Sequence, residues 1–103
     1  MKRTTTAKSE NEFKVETFGL TEKQHDMVVE MVKADVDKCG NYTLEEVDAD
    51  MWDAWIDNAK EEGDEEYEEF LAEAQLGDAV TYTLNDNIGD FSQPIGDVAI
   101  YYY

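Results

Sequence analysis

Acidic side chains recur at helical spacing in the middle of the chain, and together they would form an anionic surface. Residues 45–73 contain fourteen carboxylates and one basic residue, Lys60. Side chains three or four residues apart on a helix lie on one face, separated by about 5–6 Å along the axis. Nucleic-acid phosphates are spaced on a similar scale. The predicted rows are Glu46, Asp50, Asp53 and Asp57 on one helix and Glu62, Glu66, Glu69 and Glu73 on the next.

Such rows make the helices harder to form, which favours a role in binding. Each like-charged pair four residues apart destabilises a helix by about 0.2–0.5 kcal/mol. Our interpretation is that the rows imitate a nucleic-acid backbone and occupy the basic groove of a DNA- or RNA-handling protein. Such binding would be steered by the acidic field and weakened by salt. Two alternatives remain open: the rows are ordinary solvated helix faces, or the acidity reflects a halophilic source.

A second candidate site is the segment DVDKCGNYTLEE at residues 35–46. Its positions 1, 3, 7, 9 and 12 can supply oxygen ligands, and its position 6 is Gly40. This spacing resembles the calcium-binding loop of an EF-hand, although Cys39 places a sulfur at position 5. The resemblance implies a calcium-binding module as the alternative function, with the ion held by Asp35, Asp37, Asn41, Thr43 and Glu46.

The same segment also has a purely structural explanation. Thr43 and Glu46 have the spacing of a capping box, the pair of side chains that starts many helices. Gly40 followed by Asn41 is typical of a turn. Residues 35–46 are therefore predicted to be either a calcium loop or a turn followed by a helix that begins near residue 44.

Composition restricts the class of partner. The chain has 26 acidic and 8 basic side chains, a formal charge of −18, and an apolar fraction of 42%, which is enough for one core. This charge disfavours direct binding to nucleic acid or to an anionic membrane, and favours a basic nucleic-acid-binding protein. The single cysteine cannot form an internal disulfide, and no signal sequence or membrane span is recognised. We therefore expect a cytoplasmic protein.

Periodicity and turn residues predict an α+β fold. Residues 1–11 have the composition of a flexible basic tail, and residues 12–103 would form a single α+β domain. The order β-α-α-α-β-β implies a small antiparallel sheet of about three strands packed on about three helices. The predicted elements are a strand at 12–18, helices at 22–34, 44–62 and 64–77, and a hairpin of 79–84 and 97–103 joined by a long loop.

The same patterns predict which side chains are buried. His25 falls on the polar side of the first helix and is expected to be exposed. Alternation in the last strand leaves Tyr101 and Tyr103 on a face that is free to anchor an interface, so we expect a homodimer through this strand. The predicted buried stripe of the second helix consists of Leu44, Val47, Met51, Trp55 and Ala59, and Trp52 and Ile56 widen it.

No catalytic motif is recognised in the sequence, so we expect neither an enzyme nor a required cofactor. Small size, acidity and the lack of such motifs resemble, in general character, the anti-restriction and anti-CRISPR inhibitors encoded by phages and mobile elements. The resemblance implies an anti-defence inhibitor that acts by competition. Its partner would be the basic groove of a nucleic-acid-binding protein.

Overall fold

The computed structural model describes residues 1–7 and 12–103. These residues form six strands and three helices in the order β-β-α-β-β-α-α-β-β. The strands are β1 (Lys2–Ala7), β2 (Phe13–Phe18), β3 (Lys38–Cys39), β4 (Tyr42–Glu46), β5 (Val80–Ile88) and β6 (Phe91–Tyr102). The helices are α1 (Glu22–Lys33), α2 (Ala49–Glu62) and α3 (Glu65–Leu76).

The six strands belong to one antiparallel sheet that curls into a half-barrel. Their order across the sheet is β1-β2-β6-β5-β4-β3. β6 therefore lies inside the sheet, with β2 hydrogen-bonded to one edge and β5 to the other. β2 pairs with residues 97–102 of β6 and β5 with residues 91–100, and the homodimer contact through this strand stays a prediction.

The predicted sheet of about three strands, in the order β-α-α-α-β-β, is wrong. β1 lies in the segment assigned to a flexible tail, and β3 and β4 form a hairpin in the segment assigned to a turn and a helix start. A short polar strand such as KRTTTA gains little from its own apolar content and depends on pairing, which β2 provides along its whole length. The remaining tail residues, 8–11, lie outside the described residues.

The C-terminal hairpin is confirmed, but its predicted long loop is wrong. β5 continues to Ile88 and β6 begins at Phe91, so the connection is a tight turn at Gly89 and Asp90. Gly89 has a φ of 64°, the left-handed conformation that such hairpin turns require. The polar residues that suggested a loop instead pair across the hairpin, between β5 and β6. This pairing follows a shift in the strand register between Leu84 and Asn85.

Different helices cover the two faces of the sheet. Successive side chains of a strand point to opposite faces, and β6 has buried side chains on both of its faces. Val98 and Ile100 pack in one core with α1, whereas Ala99 and Tyr101 pack in the other with α2 and α3. Tyr101 is only 7% exposed, so the prediction that its face is free is wrong for this residue.

Each helix starts at a side-chain N-cap, although the N-cap of α2 is not the predicted residue. The capping box of α1 is confirmed: the Thr21 hydroxyl accepts from the Gln24 backbone N–H, and the Gln24 side chain accepts from the Thr21 N–H. α2 begins later than predicted, because Asp48 is its N-cap and accepts from the Met51 N–H at 2.8 Å. Thr43 and Glu46 lie on β4 and form no capping box.

The buried side of α2 confirms part of the predicted stripe, including Trp52 and Ile56, and shows that the prediction is wrong for Met51. The buried residues of the helix are Trp52, Ile56 and Ala59, while Met51 is 52% exposed. The Trp52 indole N–H donates to the Leu71 carbonyl of α3 at 2.9 Å, which fixes the rotation of the helix and its register against α3.

His25 is buried, which corrects the prediction of an exposed side chain. It lies on the sheet-facing side of α1, with Nε2 2.7 Å from the Thr5 hydroxyl and Nδ1 2.7 Å from the Thr17 hydroxyl. These threonines belong to β1 and β2, so the imidazole ties the helix to both strands. Burial lowers the pKa of His25 below its usual value because the charged form is desolvated.

This lowered pKa predicts a pH-dependent stability. A neutral His25 contributes its full stability above pH values of about 6.5, and this contribution is lost as pH falls through the lowered folded-state pKa. His25→Gln keeps a donor and an acceptor but does not titrate. We expect the free energy of urea unfolding of the wild type to fall relative to that of the variant as pH is lowered from neutral to mildly acidic. Parallel profiles would contradict this prediction.

Candidate functional site

The predicted calcium ligands lie along a β-hairpin and its entry, and no helix-loop-helix is formed. Asp35 follows α1 with a φ of 55°, Asp37 precedes β3, and Asn41 is in the turn between β3 and β4. The Thr43 hydroxyl accepts from the Asn87 side chain at 3.2 Å. In the described ranges, no group of three His, Cys, Asp or Glu side chains is placed to hold a metal ion. Calcium binding stays a prediction.

The predicted row of the second helix has three members on α2 and one outside it. Asp50, Asp53 and Asp57 are exposed, on the side of α2 opposite its buried residues. Asp53 accepts a hydrogen bond from the Gln75 side chain of α3. Glu46 is the last residue of β4, where it is paired with Tyr82, so it does not extend the helical row.

The carboxylates of the predicted row on the third helix do not all have the same contacts. Glu66 accepts from the Lys2 backbone N–H at 3.0 Å, and the Glu73 carboxylate lies 3.7 Å from the Lys2 ammonium. Both carboxylates therefore face β1, and part of their charge is balanced there. Glu69 is exposed between them. Glu62, the remaining member, ends α2.

The two rows do not merge into one face. Gln75 contacts α2, whereas Glu66 and Glu73 contact β1, so the row on α3 points away from α2. The solvent side of α2 carries exposed carboxylates, which we call the outer acidic face: Asp50, Asp53, Asp57 and Glu61. Lys60 is the basic residue of the same helix. Within the described ranges, no lysine or arginine lies at ion-pair distance from the carboxylates of the outer acidic face.

A cleft of about 540 Å³ lies between the other side of α2 and strands β4, β5 and β6. We call it the acceptor cleft. Met51 and Trp55 form its helical wall, and Glu45, Asn85 and Asp97 are among its sheet residues. Sequence analysis missed this cleft because its residues come from segments far apart in the chain.

Asp97 is a partly buried carboxyl of the acceptor cleft. Burial raises its pKa, and a hydrogen bond from the Tyr67 hydroxyl, 2.5 Å from Oδ2, opposes that rise. Burial and the bond to Asp97 also raise the pKa of Tyr67. One signal in the sequence could have identified Asp97. Alternate residues of a strand point to the same face, so the Asp97 side chain lies on the same face of β6 as the buried Ala99 and Tyr101.

Comparisons of the chain with protein-family models, curated proteins and solved structures gave no match. In residues 1–7 and 12–103, no helix is both long enough and apolar enough to span a membrane. Charge and geometry are therefore the observations from which a function is inferred.

The bond between Tyr67 and Asp97 predicts a specific effect of Tyr67→Phe. The variant leaves a largely buried carboxylate without its donor, which costs about 1–3 kcal/mol of unfolding free energy when Asp97 is charged. The Asp97 pKa rises further, because the lost bond favoured the charged form, and the cost shrinks as pH falls through that pKa. Urea unfolding at several pH values and a carboxyl NMR titration measure both effects. Tyr103→Phe, at a position 72% exposed, is the control and should change neither.

Proposed function

We propose that the protein is a small acidic inhibitor that occupies the basic groove of a DNA- or RNA-handling protein, as an anti-defence protein of the anti-restriction or anti-CRISPR type would. The observation that supports this proposal is the outer acidic face of α2. Its carboxylates are exposed and lack a described cation partner. Exposed like charges on one helix face destabilise the isolated chain and are relieved when a basic surface covers them.

The contacts within the fold support a ranking of the predicted binding residues in this proposal. The strongest contributions come from Asp50, Asp53 and Asp57, with Glu62 at the end of the same helix. Glu66 and Glu73 are partly balanced by β1 and contribute less. Glu69 adds charge on a separate side of the protein, and Glu46 is paired with Tyr82 at the end of β4, away from the row on α2.

The proposed mechanism is competition with nucleic acid and involves no bond-making step. The field of the acidic face steers the partner toward it, and binding releases or displaces the anions that the basic groove would otherwise hold. The affinity therefore falls as salt rises, since exposed charges are screened over about 8 Å at physiological ionic strength. A cytoplasmic location is part of the proposal. It is consistent with the single cysteine, Cys39, which is an exposed free thiol.

The proposal is tested by reversing charge on the outer acidic face. The variant carries Asp50→Lys, Asp53→Lys and Asp57→Lys. Glu22→Lys, Asp26→Lys and Glu30→Lys make a matched control, because they change the net charge equally on α1, which covers the opposite face of the sheet. Each form is used to capture proteins from a lysate at low and at physiological salt. Captured proteins are identified by mass spectrometry and purified.

We expect the wild type and the control to capture a nucleic-acid-binding protein at low salt, and the α2 variant to lose it. Fluorescence anisotropy should then show that the wild type displaces labelled DNA or RNA from the purified partner. Circular dichroism establishes that all forms are folded. Two results would show that the outer acidic face is not the binding surface. One is capture that is equally efficient at low and at physiological salt, and the other is displacement of the labelled nucleic acid by the α2 variant as strong as that by the wild type.

A further inference from the structure

The outer edge of β1 carries backbone groups that face no other strand in the described part of the chain, because β1 is the last strand at its end of the sheet. The Gly19 N–H donates to the Met1 carbonyl at 3.3 Å, which continues the register of β1 and β2. Bonded pairs alternate along an antiparallel ladder, so the N–H and C=O groups of Lys2, Thr4 and Thr6 point away from β2. We call these backbone groups the β1 edge.

The Lys2 N–H shows where an additional strand would lie. It donates to Glu66 Oε1 of α3 at 3.0 Å, so a side-chain carboxylate takes the position of the carbonyl that a neighbouring strand would supply. The backbone groups of Thr4 and Thr6 have no such partner among the described residues, and both threonines are exposed. An accessible edge of this kind is a template for pairing with another extended segment.

The cations of β1 do not cover this edge, because they are engaged elsewhere in the fold. Charged side chains, lysine above all, commonly discourage pairing at an exposed strand edge. Here the Lys2 ammonium lies 3.7 Å from the Glu73 carboxylate of α3, and Arg3 Nε donates to the Leu20 carbonyl at 3.1 Å. The edge itself is therefore left to backbone donors and acceptors.

The carboxylates of α3 determine which extended segment fits the β1 edge. The Lys2 side chain points to the α3 side of the sheet, and residues opposite each other on neighbouring strands point to the same face. Glu66 and Glu73 face β1 on this side, and Glu69 is exposed between them. Every second side chain of an added strand would therefore meet carboxylates, which favours lysine or arginine at those positions.

We propose that an extended basic segment of the partner adds to the sheet beside β1. It lies antiparallel to β1, as all strand pairs of the sheet do, and its backbone bonds the β1 edge. Its alternate lysine or arginine side chains pair with Glu66 and Glu69. The inference rests on the proposed function for the basic character of the partner. A second copy of the chain fits less well, since it would bring its own α3 carboxylates beside those of the first.

The experiment is an NMR titration of the intact protein with short capped peptides. The probe alternates lysine with threonine over seven residues, so that all its lysines lie on one face of a strand. A peptide of the same composition with its lysines in one block has the same charge but cannot place them all on the α3 side. We expect saturable shifts at the Thr4 and Thr6 amides, with a Kd on the order of millimolar. The block peptide should bind at least about threefold more weakly.

Methylation of peptide nitrogens separates backbone pairing from attraction between charges. When the probe lies antiparallel to β1, its lysine N–H groups point to the β1 edge and its threonine N–H groups point to solvent. N-methyl groups on the lysines should therefore abolish saturable binding, whereas N-methyl groups on the threonines should leave the affinity nearly unchanged. Both methylated peptides keep the charge of the probe.

Variants of the protein locate the binding surface. Thr4→Pro removes an N–H at the centre of the β1 edge and should abolish binding of the probe, although proline is tolerated on an edge strand where its nitrogen faces outward. Glu69→Lys leaves the backbone unaltered and should weaken binding at least about threefold. Asp57→Lys makes the same charge change on the outer acidic face and should alter the affinity by less than about twofold. Circular dichroism establishes that each variant is folded.

Four results would overturn the inference. Three of them are equal binding of the alternating and block peptides, equal binding of the two methylated peptides, and a probe affinity that neither Thr4→Pro nor Glu69→Lys changes. The fourth is a dimer of the free protein, detected by sedimentation, that Thr4→Pro abolishes, because a second copy would then cover the β1 edge.

Failure of this inference is distinguishable from failure of the proposed function. Capture of a partner that is lost on reversal of the outer acidic face, with no binding of the probe, supports the proposed function and rejects the added strand. Binding of the probe at the β1 edge, with capture that is insensitive to that reversal, supports the added strand and rejects the outer acidic face as the binding surface.

Discussion

The two-sided burial of β6 is the constraint on which the structure depends. Val98 and Ile100 enter the core beneath α1, and Ala99 and Tyr101 enter the core beneath α2 and α3. A strand buried on both faces has to lie inside the sheet, so β2 and β5 flank it and the shorter strands are placed toward the edges. This arrangement separates α1 from the two acidic helices and directs the outer acidic face and the acceptor cleft to the same side of the sheet.

Two basic residues, Lys14 and Lys2, lie where they stabilise the sheet. The Lys14 ammonium lies 3.4 Å from the buried Glu16 carboxylate and 4.3 Å from the centre of the Tyr101 ring, so it balances charge beside the second core. Lys2 lies at Glu73. Among the described residues, neither these lysines nor Lys60 on α2 forms an ion pair with the outer acidic face. The excess of acidic side chains in the chain is therefore expressed as a localised acidic surface on α2. This surface is the basis of the proposed binding function.

Local signals predicted some elements well. The helix beginning after Thr21, the strand at Phe13–Phe18 and the helix ended by Gly77 are confirmed, because a cap, an alternation or a stop signal was sufficient for each. The segment around Thr43 was predicted wrongly, since the same threonine and glutamate suit a helix cap and a strand. Its pairing with β5, about forty residues later, decides for the strand, and no local signal contains that information.

The sequence by itself determined the charge, the share of apolar residues and the helical spacing of the carboxylates, because these depend on residue type and chain geometry alone. Only the tertiary structure decided that Asp50, Asp53 and Asp57 share a free face while Glu66 and Glu73 contact β1. It also decided that His25 is buried and that Asn85 and Asp97 meet Trp55 in one cleft. These outcomes depend on long-range strand pairing and helix rotation, which arise from packing between segments distant in the chain.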